Sequence, residues 1–238
     1  TLLALVSALS EDYKESRTPE DAVVDLAHVV GLEPGGMTVT MRRCAADSAR
    51  WTFTLYLCGK SVSLTDVLPV LQSLGVAVLD EHPYGLDRHD GVRCWAYEFG
   101  VSLAPGITID PDSDEAGLTL RFTDAFRALW QGEAEVDAFN ALIVRCGLDW
   151  RAVAILRACY RYLRQIGFGY STAHSATVLG DERAVTLGLV SVFEASFDPA
   201  MADDGRRGDA VAGLRRDIGA VIGLDADRIV SAFAATML

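Results

Sequence analysis

The spacing of apolar residues along the chain changes from a helical period to alternation and then back to a helical period. Residues 1–34 have the helical period, and Thr18 followed by Pro19 is typical of a helix start. The stretches 37–42 and 51–57 are rich in β-branched and aromatic residues, many of them alternating with polar ones. We therefore predict an N-terminal helical segment over 1–34 and a β-hairpin after it.

The next stretch, GKSVSLTDVLPVLQSLGVAVLDEHPY over 59–84, predicts a helix that connects two strands. Ser63 is suited to cap the helix, and Asp66 follows three residues later, close to the spacing of a capping box. Gly75 suits the position just after the last helical residue. A strand pattern over 76–80 follows, so the segment predicts a βαβ unit with parallel strands.

The order of the predicted strands indicates an incomplete ferredoxin-like unit. The polar, turn-rich residues 81–91 predict a loop, and a long strand pattern over 92–103 is expected to pair with the preceding strand as a hairpin. Strand, helix, strand, strand and helix are the first five elements of a βαββαβ unit, and the sixth element, a strand, is missing. The strand over 37–42 is available to fill that edge of the sheet.

From residue 118 onward the apolar spacing is only helical. Asp149, Ser171 and Asp181 are suited to cap successive helices. We predict an α+β fold in which a ferredoxin-like sheet with helices over 35–117 is followed by an α-helical bundle over 118–238. The predicted apolar stripes consist of Phe122, Phe126, Leu129 and Trp130, of Val136, Phe139, Ile143 and Cys146, and of Val153, Leu156, Tyr160 and Leu163.

Composition and charge exclude several classes of function. The 238 residues carry a net charge of −12. We therefore expect no nucleic-acid partner and no contact with an anionic membrane surface, because both require basic residues. No apolar run approaches the roughly 20 residues of a membrane span. The five cysteines are odd in number and include no CxxC pair, which favours reduced thiols in the cytoplasm.

The turn before the predicted connecting helix is the first candidate site. A helix N-terminus presents N–H groups that can hold an anion or a carboxylate. The pattern matches neither the GxxxxGK[ST] phosphate loop nor the GxGxxG dinucleotide loop, so the candidate ligand is a small effector. The alternative is a plain strand-to-helix joint, which the glycine and the cap explain without a ligand. The candidate effector residues are Gly59, Lys60, Ser61, Ser63 and Asp66.

The second candidate is the arginine stripe, which consists of Arg157, Arg161 and Arg164 at i, i+4 and i+7 of one predicted helix. On an acidic protein this stripe is either a docking face for an acidic domain or a solvated face with ion pairs that each contribute little stability. The sequence shows no nucleophile–base pair, no metal-ligand spacing and no cofactor loop. We therefore predict no catalytic residue, no metal and no cofactor in this chain.

Seven short motifs, in the same order, resemble the large-subunit bacterial NAD-specific glutamate dehydrogenases. The family motifs are EAYKED, SLSDVLP, DERPY, WxGxAExDxFN, GLxWR…LRAxxxYLRQ, LFExxFDP and LDEDRI. Seven such matches in order are specific. In this sequence they are EDYKE at 11–15, VSLTDVLP at 62–69, DEHPY at 80–84, WQGEAE with FN within 130–140, GLDWR with LR and YLRQ within 147–165, FEASFDP at 193–199 and LDADRI at 224–229.

The resemblance implies a fold and a position for the chain. In that family a long N-terminal region carries ACT-like modules and helical motifs, and the catalytic domain follows. The chain resembles the last ACT-like module and the helical motif, and it would end just before the catalytic domain. The catalytic residues and the NAD site of the parent enzyme would then lie beyond Leu238.

Two functions are compatible with this sequence. The first is a non-catalytic regulatory or oligomerisation segment of an enzyme that converts L-glutamate, NAD and water to 2-oxoglutarate, ammonium and NADH. Its implied partners are the catalytic domain of the same chain and further copies of the enzyme. The alternative is a free-standing amino-acid sensor, in which Lys60 and the helix N–H groups bind the ligand carboxylate and Asp66 binds its ammonium group.

Overall fold

The computed structural model describes residues 11–16, 18–44, 47, 49–88, 90–107, 109, 114–199 and 204–238. Contacts between residues divide the chain into two compact units, one formed by residues 1–72 and 76–105 and the other by residues 73–75 and 106–238. The helix predicted over the first ten residues lies outside the described residues. The domain boundaries predicted after residues 34 and 117 stay predictions.

The first unit contains β1 Met37–Arg43, β2 Arg50–Cys58, α3 Leu64–Ser73, β3 Val76–Asp87 and β4 Arg93–Leu103. It is built around a four-stranded antiparallel sheet with the order β1-β2-β4-β3. The strands β2 and β3 run in the same direction with β4 between them, because each of them pairs antiparallel with β4. A helix, α3, connects β2 to β3 and completes a split βαβ arrangement.

The strand β1 occupies the edge that the missing sixth element of a βαββαβ unit would take. It pairs antiparallel with β2 over its whole length, from Met37 opposite Leu57 to Arg43 opposite Trp51. The predicted use of this strand to fill the sheet is therefore confirmed. The ferredoxin-like sheet followed by a helical region is confirmed with it.

The prediction of a loop over 81–91 is wrong for most of that stretch. The strand β3 continues to Asp87 and pairs with β4 up to Arg93, with an irregularity in register between Val78 and Asp80. Pro83 and Gly85 are residues that usually indicate turns, but β3 is an edge strand, where proline needs no ladder partner for its nitrogen. Pairing with the long β4 therefore overrides the local composition.

Two N-terminal helices, α1 (Glu11–Ser16) and α2 (Pro19–Val30), belong to the first unit. The predicted cap of α2 is confirmed, since the Asp21 N–H donates to Thr18 Oγ1 at 3.2 Å. Side chains of these helices and of one sheet face form a buried cluster. Its members are Tyr13, Leu26, Val29, Tyr56, Cys58, Tyr84, Leu86, Cys94 and Ala96.

A buried carboxylate ties these helices to the sheet. The hydroxyl groups of Tyr13 and Tyr56 donate to the two oxygens of Asp25 at 2.7 and 2.5 Å. The ring of His28 stacks on Tyr56, with 4.9 Å between the ring centroids. Because a buried carboxylate needs hydrogen bonds to offset its desolvation, these two donors explain how Asp25 is tolerated at 5% exposure.

The second unit is helical. Its elements are α4 Glu115–Trp130, a 3₁₀ helix Ala138–Ala141, α5 Leu142–Cys146, α6 Trp150–Gln165, α7 Thr172–Asp181, α8 Arg183–Phe197, α9 Asp204–Ile218 and α10 Leu224–Met237. The caps at Asp149 and Ser171 are confirmed, because these side chains accept from the N–H groups of Ala152 at 2.8 Å and His174 at 3.2 Å. Residues of the predicted apolar stripes form much of its core.

Two predictions about the second unit are wrong. Val136 is 45% exposed and precedes the 3₁₀ helix, so the stripe from Val136 to Cys146 does not lie on one regular helix. Asp181 does not cap the following helix, because it is the last residue of α7 and α8 begins after Glu182. The carboxylate of Asp181 instead pairs with the guanidinium of Arg145.

Candidate functional site

The turn before α3 is held by two hydrogen bonds that its backbone N–H groups donate to β4. Gly59 has a φ of +82°, a left-handed conformation that favours glycine, and its N–H donates to the Arg93 carbonyl at 2.8 Å. The N–H of Val62 donates to the hydroxyl of Tyr97 at 3.2 Å. The glycine is therefore explained by the geometry of the turn alone, as the plain-joint alternative requires.

The N-terminus of α3 carries the predicted capping box. The N–H of Thr65 donates to Ser63 Oγ at 3.3 Å, and the N–H of Ser63 donates to Asp66 Oδ2 at 3.4 Å. Ser63 thus caps the N–H of Thr65 and Asp66 reaches back to the N–H of Ser63, an arrangement close to a capping box, in which the serine hydroxyl would accept from the N–H of Asp66 instead. Lys60 and Ser61 lie in the preceding turn and are exposed. Binding of an effector by these five candidate residues stays a prediction.

The arginine stripe divides into one buried and two exposed members. Arg157 is 5% exposed, and its Nε and Nη2 donate to the two carboxylate oxygens of Asp137 at 2.7 and 3.0 Å. Its Nη2 also donates to Asn140 Oδ1 at 2.7 Å and to the carbonyl of Glu135 at 3.2 Å. We call these four residues the Arg157 network. A guanidinium that is paired with a carboxylate and hydrogen-bonded in this way can be buried.

The other two arginines lie at the surface. Arg161 pairs with the carboxylate of Glu135, and the two side chains are 59% and 52% exposed. Arg164 donates to the carbonyl of Phe168 at 2.7 Å. The face of α6 that is open to solvent therefore presents Arg161 and Arg164, whereas Arg157 ties α6 to the segment before the 3₁₀ helix. A docking role for the stripe stays a prediction.

The sequence contained a signal for the burial of Arg157 that the prediction did not use. Arg157 lies four residues after Val153 and three before Tyr160, so it falls on the apolar side of α6. Asp137 and Asn140, its partners, lie in a short acidic segment 20 and 17 residues earlier. An arginine on an apolar helix face needs an acceptor from another element, and this segment supplies it.

Arg145 is a second buried arginine of the same unit. It is 8% exposed, and it donates to the carbonyl of Thr177 at 3.3 Å and to the carboxylate of Asp181. The guanidinium lies against Gly180, where any side chain would collide with it. Both buried arginines therefore connect helices of the second unit.

In the part of the chain that the structure describes, no three histidine, cysteine, aspartate or glutamate side chains are grouped so that they could hold a metal ion. No helix among the described residues is long and apolar enough to cross a bilayer.

Two family models match the chain, and each corresponds to one part of the fold. The model described as glutamate dehydrogenase, ACT3 domain, matches residues 37–114, which include the whole four-stranded sheet. The model described as glutamate dehydrogenase, helical motif 3, matches residues 134–199, which run from the segment before the 3₁₀ helix through α8. The Arg157 network thus lies within the helical motif.

Three curated relatives carry the name NAD-specific glutamate dehydrogenase. The protein from Mycobacterium tuberculosis is 39% identical over 232 residues, which are 96% of this chain and 14% of that protein. The protein from Halomonas elongata is 36% identical over 195 residues, 81% of this chain and 12% of its own length. The protein from Pseudomonas aeruginosa is 35% identical over 187 residues, 78% of this chain and 11% of its own length.

These findings agree with the resemblance drawn from the seven motifs. The chain spans between 11% and 14% of the length of the relatives that it matches. Its sheet corresponds to a named ACT domain, and its helices correspond to a named helical motif of the same enzyme. The chain therefore belongs to the family of NAD-specific glutamate dehydrogenases, of which it carries the ACT3 domain and helical motif 3.

Proposed function

We propose that this chain is a non-catalytic regulatory and assembly segment of an NAD-dependent glutamate dehydrogenase. In this proposal the longer enzyme oxidises L-glutamate with NAD and water and forms 2-oxoglutarate, ammonium and NADH. The NAD site and the catalytic residues lie outside this chain. The names of the relatives and the two matching family models support the reaction, and the geometry of the polar residues supports the non-catalytic role.

The observation that carries the proposal is the use of the polar side chains at both candidate sites. Asp66 and Ser63 cap α3, and the guanidinium of Arg157 is surrounded by three acceptor groups of its own unit. A group that acts on a substrate must be able to approach it and change its partners during the reaction. Side chains that already cap a helix or pair within a buried network are suited to stabilising a rigid scaffold.

The exposed side of α6 is our candidate for the surface that contacts the catalytic domain or another copy of the enzyme. Arg161 and Arg164 are exposed there, together with Tyr162 at 53% and Ile166 at 64%. Arginine and aromatic side chains are enriched at protein interfaces, where they supply both charge pairing and apolar area. An acidic surface on the partner would complement the two arginines.

A charge reversal in the longer enzyme tests this function. We expect Arg161→Glu combined with Arg164→Glu to change the molar mass in sedimentation and to lower kcat several-fold, with KM for NAD unchanged. Arg216→Glu is the matched control, because Arg216 is exposed on α9 and pairs only with the adjacent Asp217 among the ion pairs of the described residues. If the double variant has an unchanged molar mass and an unchanged kcat, the exposed side of α6 is not the contact surface.

The amino-acid sensor remains the second candidate, and the observation that favours it is the exposed Lys60 beside the N-terminus of α3. A cation beside helix N–H groups suits a carboxylate ligand. Calorimetric titration with the twenty amino acids tests it, with Lys60→Ala as the variant expected to abolish the heat signal. If none of the twenty amino acids gives a heat signal, only the scaffold role remains. A gene that ends at residue 238 would contradict the first candidate and favour this one.

A further inference from the structure

Two buried cysteines lie directly opposite each other on neighbouring strands. Cys58 at the end of β2 pairs in register with Cys94 near the start of β4. Their sulfur atoms are 2.6 Å apart, and the residues are 1% and 0% exposed. This pair forms part of the buried cluster beneath α2.

The backbone hydrogen bonds show what kind of pair these cysteines form. The N–H of Cys58 donates to the Gly36 carbonyl at 3.2 Å, and the Cys58 carbonyl accepts from Gly35 at 2.8 Å, so both groups are directed away from β4. Cys58 and Cys94 are therefore a non-hydrogen-bonded pair, in which the Cα atoms are typically about 4.5 Å apart and the side chains are close. A disulfide accepts Cα separations of roughly 4.4 to 6.8 Å, so the strands need little movement to accommodate one.

A fixed cation lies beside one of the two sulfurs. Nη1 of Arg88 is 3.6 Å from Cys58 Sγ, and the same nitrogen donates to the carbonyls of Val29, at 3.4 Å, and Leu32. The other side of the guanidinium binds the carboxylate of Asp90. The Arg88 side chain is only 11% exposed. The guanidinium of Arg88 is therefore a fixed positive charge beside the sulfur of Cys58.

Electrostatics assign different roles to the two thiols. Burial, followed by the neighbouring Cys58 thiol, raises the pKa of Cys94 to about 12. The hydrogen bond with Asp90 raises the pKa of Arg88 above its ordinary value, so the guanidinium remains charged. Cys58 is therefore the sulfur that has this fixed positive charge beside it.

We propose that Cys58 and Cys94 form an oxidisable site that a small peroxide converts into a disulfide between β2 and β4. Because both sulfurs are buried, the oxidant has to be small enough to reach Cys58 through the cluster, as hydrogen peroxide is. This site is independent of the proposed dehydrogenase function, and it uses neither the capping box nor the Arg157 network.

The reaction proceeds in two balanced steps. The Cys58 thiolate attacks one oxygen of the peroxide, the O–O bond breaks, and the products are a Cys58 sulfenic acid and hydroxide, which takes up a proton to give water. The sulfur of Cys94 then attacks the Cys58 sulfur and displaces hydroxide, which leaves as water with the proton of Cys94. Two thiols and one hydrogen peroxide thus give one disulfide and two waters.

Peptide mapping of the native 238-residue chain tests the proposal. After treatment with hydrogen peroxide and blocking of free thiols, trypsin would release Cys58 in the peptide 51–60 and Cys94 in the peptide 94–121. We expect these two peptides to be joined, with a mass two hydrogens below their sum, and to separate on reduction. The Cys58→Ser and Cys94→Ser variants should lose the linked species, and Cys146→Ser should retain it.

The rate of oxidation tests the role of Arg88. We expect Arg88→Met to form the linked peptide about tenfold more slowly, because the variant lacks the positive charge that faces the Cys58 sulfur, the atom that attacks the peroxide. Circular dichroism of the variant establishes that it is folded, and an unchanged rate in a folded variant would contradict the role of the guanidinium. Absence of the linked peptide from the native chain, or its formation only in denaturant, would overturn the proposal.

Discussion

At the scale of single residues, the buried arginines show which features the sequence predicts and which features only the structure reveals. Helical spacing correctly placed Arg157, Arg161 and Arg164 on one helix, but it does not distinguish an arginine in water from one with a buried partner. That distinction depends on Asp137 and Asn140, which are 20 and 17 residues away and reach Arg157 only through the tertiary fold. The position of Arg157 among apolar residues was the available signal.

Replacement of Arg157 should be far more costly than replacement of Arg161. We expect Arg157→Met to lower the free energy of unfolding by about 3–5 kcal/mol, because it leaves the Asp137 carboxylate and the Asn140 amide without their buried partner. Urea unfolding of the chain measures this change.

Arg161→Met is the matched control on the same helix. Its pair with Glu135 is more than half exposed, and water screens such pairs, so we expect a loss of about 0.2–1 kcal/mol. Equal losses in the two variants would show that the Arg157 network contributes no more than a surface ion pair.

At the scale of elements, the sequence predicted the start of a helix correctly where residues close to that start determine it. The caps at Thr18, Ser63, Asp149 and Ser171 were predictable because each cap binds an N–H two or three residues away. The length of β3 was not predictable in this way. Its polar, turn-like half is a strand because β4 provides a long partner, and strand pairing is a non-local interaction.

The cap of α3 makes a measurable contribution to the stability of the chain. We expect Ser63→Ala to destabilise the chain by about 1 kcal/mol, because it removes the acceptor of the Thr65 N–H and opens one half of the capping box. Chemical unfolding measures the difference from the unchanged chain.

Ser61→Ala is the control for this experiment. Ser61 lies exposed in the same turn, two residues before the cap, and a surface substitution away from a cap usually changes stability by less than about 0.5 kcal/mol. An equal loss in both variants would mean that Ser63 does not act as the cap.

At the scale of the whole chain, the order of elements was more informative than any single motif. The four strands and the helix between β2 and β3 were recognisable from periodicity, and β1 does fill the edge beside β2. The candidate sites were less predictable, because the same glycine, serine and arginine residues serve either a ligand or the fold. Whether such a residue binds a ligand or stabilises the fold depends on the residues that contact it in the folded chain.

The central claim of the proposed function is that this chain contributes scaffold and contacts to a glutamate dehydrogenase and does not itself catalyse glutamate oxidation. The most direct measurement is glutamate-dependent NADH formation by the purified 238-residue chain, with the full-length NAD-specific glutamate dehydrogenase of Mycobacterium tuberculosis assayed beside it. We predict that the full-length enzyme forms NADH and that the chain alone forms none. A rate of NADH formation that rises in proportion to the concentration of the chain would contradict the claim.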